Sequence, residues 1–213
     1  MKKQNKTVAI ITARGGSKRV KNKNIILFFG KPMIAHSIIC AKKTKLFDEI
    51  FVSTDSEEIK KISIQYGAKV PFLREAKLSD DITGTHEVIK SFLKKLKKNF
   101  RYVCCVYPTA PLMRPKDLMK GYEMLKKNNS KYIFSANLSR SLNSKLFKRN
   151  ERMFEDSGQF YWGSNDIWKK NSNILNKSSM IVKIPKIYAQ DLNTLKDLKI
   201  LKDKKIKIHK KYD

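Results

Sequence analysis

Short apolar runs alternate with longer amphipathic segments along this chain, and this alternation is the feature that most constrains its fold. Runs of strand length lie at 7–13, 49–53, 102–107 and 132–136. Segments whose apolar residues have helical spacing separate or follow them, at 32–45, 55–66, 85–98 and 116–128. Strands that alternate with helices in this way build a mostly parallel sheet with helices on both faces. We therefore predict an α/β fold.

The pattern weakens after residue 138 and returns at 159–163, 180–184 and 194–202. Because no repeat or Gly/Ser linker divides the chain, we interpret 1–213 as one domain with an irregular insertion around 139–156. No apolar run approaches the ~18 residues of a membrane span. The three cysteines lack CxxC spacing, which argues against a disulfide framework or structural zinc. We expect a cytoplasmic protein.

The chain is strongly basic, with 47 Lys plus Arg against 19 Asp plus Glu and a formal net charge of +28. Lys outnumbers Arg 39 to 8 and is spread along the whole sequence. A nucleic-acid footprint would cluster on one element and use Arg more often. A solvated, Lys-rich surface is therefore favoured, and nucleic-acid binding stays as the alternative. The end of the chain, 202–213, is also basic. It is expected to be a solvated tail or an edge strand, with a nucleic-acid-binding arm as the alternative.

A basic, glycine-containing loop follows the first predicted strand directly. It contains Arg14, Gly15, Gly16, Ser17, Lys18, Arg19, Lys21, Lys23 and Asn24. Ligands of open α/β sheets bind beyond the carboxyl ends of the strands. Glycines let backbone N–H groups approach a phosphate, the serine adds a hydroxyl donor, and the cations offset phosphate charge. The spacing matches neither GxGxxG nor GxxxxGK[ST]. The loop predicts a site for a multiply charged phosphate ligand, with an ordinary turn as the alternative.

Two further segments carry polar side chains in extended patterns. Asp191 and Asn193 are spaced i and i+2, so both can face one cation, although on chemistry alone a role as caps of the final helix is favoured. In 157–163, Gln159 and Tyr161 share one strand face, and Phe160 and Trp162 share the other, which we expect to be core. His36, His86 and His209 have no zinc-like spacing.

The chain resembles the CMP-sialic acid synthetase family, the cytidylyltransferases that activate sialic-acid-like sugars as CMP conjugates. The resemblance lies in collinear segments: VAIITARGGSKRVKNKNI, GKPMIAHSI, FVSTDSEEI, VPFLREAKLSDD, YPTAP, SGQFYWG and AQDLNTLKDL. The segments CCVYPTAP and GQFYWG are similar to the branch that acts on pseudaminic acid. The resemblance implies a Rossmann-like nucleotidyltransferase fold that joins CTP to a nine-carbon 2-keto sugar acid and releases pyrophosphate. No nucleic-acid or membrane partner is expected.

By position, the resemblance assigns roles to individual residues. Arg14, Ser17 and Lys23 would hold the triphosphate beside Gly15 and Gly16, with Asn24 near the nucleotide. Arg74, Asp81, Thr83 and Thr85 would frame the base, although a surface cation and a helix cap are alternatives for Arg74 and Asp81. Tyr107, Gln159 and Tyr161 would contact the sugar, with Arg140 and Lys145 upstream; core packing is the alternative for Tyr107. Arg14, Lys23 and Asp191 would be catalytic.

The family binds Mg²⁺ at an Asp-x-Asp pattern, and here Asn193 stands in place of the second carboxylate. The resemblance thus implies Mg²⁺ as the cofactor, held by Asp191 and Asn193 with weakened affinity. It also implies a homodimer with 139–156 near the partner subunit. The alternatives are N-acetylneuraminic or legionaminic acid as the acceptor, a degenerate member that binds CTP without turnover, and a nucleic-acid-binding protein.

Overall fold

A mixed sheet forms the centre of this computed structural model, which describes residues 6–128, 131–139, 146–149, 152–170, 173–176 and 178–210. The strands are β1 Thr7–Thr12, β2 Leu27–Phe28, β3 Lys31–Pro32, β4 Glu49–Ser53, β5 Tyr102–Val106, β6 Ile133–Leu138, β7 Leu146–Arg149, β8 Arg152–Ser164 and β9 Met180–Lys183. The helices are α1 Met33–Thr44, α2 Glu57–Gln65, α3 Thr85–Leu96, α4 Pro115–Lys127, α5 Asn165–Lys169 and α6 Leu195–His209.

Within the described ranges, seven strands join in the order β4-β1-β5-β8-β6-β9, and β7 pairs with β8. The pairs β1/β4, β1/β5 and β6/β9 are parallel, whereas β8 is antiparallel to β5, β6 and β7. Among these described strands β8 therefore runs alone against the others. The prediction of an α/β fold with a mostly parallel sheet is confirmed.

Helices cover both faces of the sheet because successive residues of β1 and β5 point to opposite sides. One face packs on α1 and α4, through Ile11, Cys104, Ile38 and Leu118. The other face packs on α3 and α5, through Ile10, Cys105, Phe92 and Trp168. Burial of both faces explains why these strands are continuous apolar runs, the usual sequence of a parallel strand. The cysteines at 40, 104 and 105 are buried free thiols.

The segment 139–156, predicted to be irregular, contains two strands among its described residues. Leu146 pairs with Glu155 and Arg149 with Arg152 in the antiparallel β7/β8 ladder. The two strands form a local hairpin, but their apolar residues are adjacent pairs, at 146–147 and 153–154, instead of the alternation that indicates a strand. Residues 140–145 and 150–151, with the proposed Arg140 and Lys145, lie outside the described residues.

The final helix is longer than its predicted end at Lys202. The chain beyond that residue is helical through His209 instead of forming a tail or an edge strand. Leu198, Leu201 and Ile208 lie on one side of α6, where Leu201 is fully buried. Their helical spacing is partly hidden in the sequence by the alternation of Lys and Ile at 205–208. In the part of the chain that the structure describes, no helix is long and apolar enough to span a membrane.

Candidate active site

A cavity of about 250 Å³ lies beyond the carboxyl ends of β1 and β5. This is the position expected for a ligand site in an open α/β sheet. The wall of the cavity brings together most of the residues predicted from the sequence: Arg14, Lys23, Asn24, Arg74, Asp81, Thr83, Thr85, Tyr107, Asp191 and Asn193. Segments far apart in the sequence therefore converge on one polar site.

The loop after β1 approaches the end of β4 closely at Gly15. Its N–H donates to Asp55 Oδ1 over 2.8 Å, and a Cβ placed at Gly15 would lie 3.1 Å from the Cβ of Ser56. A Cβ at Gly16 would meet no atom within 4 Å. The hydroxyl of Ser17 is buried and has no hydrogen-bond partner. Gly15 thus fits a close backbone approach, and its N–H is bound to a protein carboxylate in this structure.

Arg14 contacts the loop that precedes α3. Its guanidinium donates to the backbone carbonyl of Asp80 over 2.5 Å and forms an ion pair with the Asp81 carboxylate. The Lys18 ammonium lies 2.6 Å from the second oxygen of Asp81. Together, Lys18 and Arg14 lower the pKa of Asp81 to about 2. The N-cap of α3 is Gly84, without a side-chain cap, so the alternative that Asp81 caps this helix is wrong.

The alternative that Arg74 is a surface cation is wrong, because only 7% of its side chain is exposed. Its Nε donates to Ser79 Oγ over 3.1 Å, and one terminal nitrogen lies 3.8 Å from Asp55 Oδ1. That nitrogen is buried and makes no hydrogen bond. Burial lowers the pKa of the guanidinium. Nearby, the Asn24 side chain donates to the Arg14 carbonyl over 2.8 Å, and its own carbonyl oxygen is buried without a partner.

Asp191 lies at the opposite wall of the cavity, next to Lys23. Its Oδ2 accepts a hydrogen bond from the Asn193 side chain over 3.0 Å, while its Oδ1 is buried and unpartnered. The Asn193 carbonyl oxygen accepts from Arg19 over 3.1 Å. Burial raises the pKa of Asp191 and lowers that of Lys23, whose ammonium reaches the Leu192 carbonyl at 3.5 Å.

The alternative role of Asp191 and Asn193 as helix caps is not supported by the side-chain contacts. Thr194 is the N-cap of α6, and its hydroxyl accepts from the Asp197 N–H. Asp197 completes a capping box, since its carboxylate accepts from the Thr194 N–H over 2.7 Å. The Asp191 carboxylate therefore remains directed at the cavity.

Tyr107 closes the cavity at the end of β5. Its hydroxyl shares a 2.5 Å hydrogen bond with Thr85, and its ring lies 5.3 Å from the ring of Tyr161. The Tyr161 hydroxyl donates to Asp156 Oδ2 over 2.5 Å. Burial raises the pKa of both tyrosines, so both phenols are neutral at physiological pH. Tyr107 thus packs on the core and also lines the site.

Two more cavities adjoin the first one. A cavity of about 360 Å³ shares Arg14, Lys23, Asp81 and Asn193 with it and adds Ser17, Lys18 and Arg19. A cavity of about 460 Å³ shares Tyr107, Asp191 and Asn193 and adds Tyr161, Asp156, Glu155 and Lys186. The three cavities meet at Asn193. We call the first one the central cavity, the one with Ser17 the phosphate cavity and the one with Asp156 the acceptor cavity, after the roles that we propose for them.

Gln159 does not line any of these cavities. The residue is fully buried, its amide nitrogen donates to the Tyr188 carbonyl over 2.6 Å, and its amide oxygen has no partner. A direct sugar contact by Gln159 stays a prediction. Phe160 and Trp162 are fully buried against α4, so their assignment to the core is confirmed.

Comparison with known proteins shows the family of this chain. The family model described as cytidylyltransferase matches residues 8–212. The chain belongs to the cytidylyltransferase family. It is 35% identical to the pseudaminic acid cytidylyltransferase of Campylobacter jejuni, over 91% of this chain and 93% of that protein. It is also 34% identical to the CMP-N,N'-diacetyllegionaminic acid synthase of Legionella pneumophila, over 78% of this chain and 75% of that protein.

The fold of this cytidylyltransferase is similar to that of a solved CMP:2-keto-3-deoxy-manno-octonic acid synthetase in complex with CTP. The two chains align with a TM-score of 0.73 at 16% identity, over 95% of this chain and 99% of the other. At this identity the likeness concerns the fold. The predicted Rossmann-like nucleotidyltransferase architecture is thereby confirmed.

The site of this cytidylyltransferase offers few protein ligands for a magnesium ion. Within the described residues, no group of three His, Cys, Asp or Glu side chains lies together. The unpartnered Asp191 Oδ1 supplies one charged ligand, while the Asn193 carbonyl is engaged by Arg19. Mg²⁺ typically keeps several waters and takes one or two carboxylates plus substrate phosphates. One carboxylate beside a cavity lined by cations supplies the protein's share of those ligands.

Asp55 is the main site residue that sequence reasoning missed. It connects the Gly15 N–H and the Arg74 guanidinium, at 2.8 and 3.8 Å. It stands just after β4, at the same edge of the sheet as Arg14, so the rule that located the β1 loop applied to it equally. Thr109, which lines the central cavity and whose carbonyl accepts from the Leu192 N–H over 3.0 Å, was also missed. It follows β5 in the same way.

Proposed function

We propose that this cytidylyltransferase transfers the cytidylyl group of CTP to pseudaminic acid, giving CMP-pseudaminic acid and pyrophosphate. The observation that carries the proposal is the meeting of the three cavities at Asn193, next to the Asp191 carboxylate. One is lined by cations, one contains unpartnered donor and acceptor atoms, and one is lined by carboxylates and tyrosines. The 35% identity to a pseudaminic acid cytidylyltransferase supports the choice of acceptor.

CTP would bind across the central and phosphate cavities. Arg14, Ser17 and Lys23 would hold the triphosphate, beside the backbone of Gly15 and Gly16. The base would lie among Arg74, Thr83, Thr85 and Asn24, where a buried guanidinium nitrogen and a buried amide oxygen have no partners. Such groups are costly to leave unpaired. Cytidine offers both an amino donor and carbonyl or hydroxyl acceptors, so it can satisfy both.

The acceptor would lie in the third cavity, beside Tyr107 and Tyr161. Asp156 and Glu155 present carboxylates there, which accept hydrogen bonds from the hydroxyl and acylamino groups of a nonulosonic acid. Lys186 is the nearby cation available to the sugar carboxylate. Gln159 would affect the acceptor indirectly, through its hydrogen bond to the Tyr188 carbonyl.

In the reaction, the anomeric C2 hydroxyl oxygen of the sugar forms a bond to the α-phosphorus, and the bond from that phosphorus to the β-bridging oxygen breaks. Pyrophosphate leaves with the bonding electrons, and the hydroxyl proton passes to solvent. Arg14 and Lys23 stabilise the charge that develops on the leaving group. Asp191, with Asn193 as a neutral second ligand, would hold Mg²⁺, which when bound neutralises phosphate charge. The protein contributes mainly position and electrostatics.

A pyrophosphate-release assay tests the proposal, with CTP, Mg²⁺ and a panel of pseudaminic, legionaminic and N-acetylneuraminic acids. We expect turnover, fastest with pseudaminic acid. An Asp191→Ala variant controls for contaminating activity. Faster turnover of another acid would show that this acid is the acceptor instead. The similarity to a legionaminic acid synthase makes legionaminic acid the first alternative. No turnover with any acid would contradict the enzyme assignment.

A degenerate, CTP-binding role is the second candidate, because Asn193 stands between Arg19 and Asp191 where a second carboxylate would favour metal binding. CTP binding by calorimetry without pyrophosphate release would favour it. A nucleic-acid-binding role would instead give steeply salt-dependent retention on DNA or RNA that CTP does not relieve.

We also propose that the enzyme is a cytoplasmic homodimer in which residues 139–156 lie near the partner subunit. The family resemblance supports the dimer, and the three buried free cysteines are typical of a reducing compartment. Light scattering on the purified protein tests the dimer. A monomer at assay concentration would contradict it.

A further inference from the structure

The loop 186–190 leads from β9 to Asp191, and one lysine of α6 binds it at three points. The Lys204 ammonium donates to the Lys186 carbonyl over 3.0 Å, to the Ala189 carbonyl over 2.9 Å and to the Gln190 side-chain oxygen over 3.1 Å. An ammonium group has three N–H donors, so this arrangement uses all of them. The three acceptors lie within five consecutive residues.

Lys204 differs from the solvated lysines that give the chain its charge. Its side chain is partly buried, and within the described residues no carboxylate lies within 4.0 Å of its ammonium group to form a salt bridge. Burial lowers its pKa. Removing a cation from water is unfavourable unless its donors find other acceptors. The carbonyls of the loop provide those acceptors, so the position of Lys204 and the course of the loop depend on each other.

The same loop is attached at further points on either side. The buried Gln159 donates to the Tyr188 carbonyl over 2.6 Å, and the Arg114 guanidinium lies 4.2 Å from the centre of the Tyr188 ring. Just past Asp191, the Leu192 N–H donates to the Thr109 carbonyl over 3.0 Å. These contacts attach the loop to β8, α4 and the end of β5. Two residues attach it to α6: Asp197, whose carboxylate accepts from the Gln190 side chain over 3.0 Å, and Lys204, which binds three acceptors.

We propose that Lys204 is a positioning residue, which by binding Lys186, Ala189 and Gln190 fixes the Asp191 carboxylate and the wall of the acceptor cavity. The inference rests on the proposed function, because it assigns Asp191 to the reacting end of that site. Lys186, Ala189, Gln190 and Lys204 all line the acceptor cavity. None of them lines the central or phosphate cavity.

This placement predicts which kinetic constants depend on Lys204. Release of the loop would misplace Asp191 and reshape the acceptor cavity, so kcat should fall and the KM for the sugar acid should rise. A misplacement of about 1 Å costs up to ~100-fold in rate. The KM for CTP should stay unchanged. A residue that merely stabilised the fold would lower the amount of active enzyme and leave both KM values alone.

The test compares Lys204→Met with Lys202→Met, a matched control at an exposed lysine of the same helix. Hydrogen exchange of the peptides that cover 186–192 is measured in the protein without ligands, and kcat and both KM values are measured by pyrophosphate release. For Lys204→Met we expect faster exchange in 186–192, a decrease in kcat of about tenfold or more and a higher sugar KM. Lys202→Met should match the wild type.

Lys204→Arg shows whether the three hydrogen bonds of Lys204 matter or only its positive charge. It also provides a second variant if Lys204→Met does not fold. Arginine keeps the positive charge, but its planar fork cannot copy the three-acceptor geometry of an ammonium group. We expect faster exchange in 186–192 and intermediate kinetics. Wild-type kinetics in Lys204→Arg would reduce the role of Lys204 to charge and overturn the proposal.

The two measurements also distinguish failure of this inference from failure of the proposed function. If the wild type turns over no acceptor, the enzymatic proposal fails, while exchange in 186–192 still decides whether Lys204 fixes the loop. Unchanged exchange in Lys204→Met and Lys204→Arg would overturn the positioning role, whatever the activity of the wild type.

Discussion

The carboxylate of Asp81 is paired with the guanidinium of Arg14, the residue proposed to bind the triphosphate of CTP. Its second oxygen lies 2.6 Å from the Lys18 ammonium. A protein anion thus neutralises two cations of the phosphate cavity in the structure. CTP has to displace this carboxylate before its phosphates can reach both cations.

Asp81→Asn should therefore bind CTP more tightly than the wild type. The ion pair is exposed, so we expect a gain of about two- to fivefold, typical of the weak coupling of exposed pairs. Titration calorimetry without sugar measures the dissociation constant. Asp203→Asn, an exposed change of equal charge on α6, is the control. Weaker binding by Asp81→Asn would mean that the carboxylate contacts the nucleotide instead of competing with it.

The pH dependence of the same pair follows from the lowered pKa of Asp81, about 2. A carboxyl whose pKa is lower in the folded state stabilises that state above its unfolded pKa, and loses this effect as the pH falls through the folded pKa. Asp81 therefore stays ionised throughout the neutral and mildly acidic range. The difference in CTP affinity between Asp81→Asn and the wild type should be constant there, and a difference that vanishes at mildly acidic pH would contradict the pairing.

Asn193→Asp should lower the Mg²⁺ concentration needed for half-maximal activity. The substitution places a second carboxylate next to Asp191, and an added negative ligand favours a divalent cation. Pyrophosphate release measured against Mg²⁺ concentration gives the value. Asn193→Ala removes the amide without adding charge and should not tighten the dependence. If Asn193→Asp left it unchanged, residue 193 would have no part in metal binding.

The sequence predicted those parts of the fold and site that depend on local pattern. β1, β4 and β5 are buried on both faces and therefore are continuous apolar runs, and the loop after β1 follows from the rule for open α/β sheets. β7 and the first half of β8 were not predicted because their apolar residues occur as adjacent pairs and do not alternate with polar ones, although the two strands pair as a local hairpin. The burial of Arg74 and its contact with Asp55 likewise depend on tertiary packing, which brings together residues of two different loops.

The buried position of Gln159 shows a related limit. Strand alternation correctly placed it opposite Phe160, but alternation cannot tell a cavity wall from an interior hydrogen bond. The structure directs its amide at the Tyr188 carbonyl, at 2.6 Å. Similarly, nothing in the residue spacing of α6 indicated that the Lys204 ammonium group would donate hydrogen bonds to a loop instead of to solvent.

Tyr107→Phe should lower kcat/KM by about two- to tenfold, the usual effect of one hydrogen bond. The lost bond is the 2.5 Å contact with Thr85, which holds two walls of the central cavity together. Because burial raises the pKa of Tyr107, its phenol stays neutral, and both enzymes should have the same pH profile in mildly alkaline solution.

Thr85→Val should lower kcat/KM by a similar factor, and the double variant should lose no more activity than either single variant. Additive losses would show that the two hydroxyls act separately.

Gly121→Ala should destabilise the fold, although alanine is the better helix former. A Cβ at Gly121 would lie 2.6 Å from Trp162 Cδ1 and 3.2 Å from Phe160 Cε2, both fully buried on β8. Trp162 cannot easily move away, because its indole N–H donates to the Leu118 carbonyl over 3.2 Å.

Overpacking of this kind costs ~1–3 kcal/mol, against a gain in helix propensity of about 1 kcal/mol. A 2.6 Å contact places the cost in the upper part of that range, so we expect a net decrease in the free energy of unfolding of about 1–2 kcal/mol, measured by urea denaturation with an unchanged slope. Gly16→Ala, where a Cβ meets no atom within 4 Å, is the control and should change stability little. Equal stability of Gly121→Ala and the wild type would show that α4 can move away from β8 at this contact.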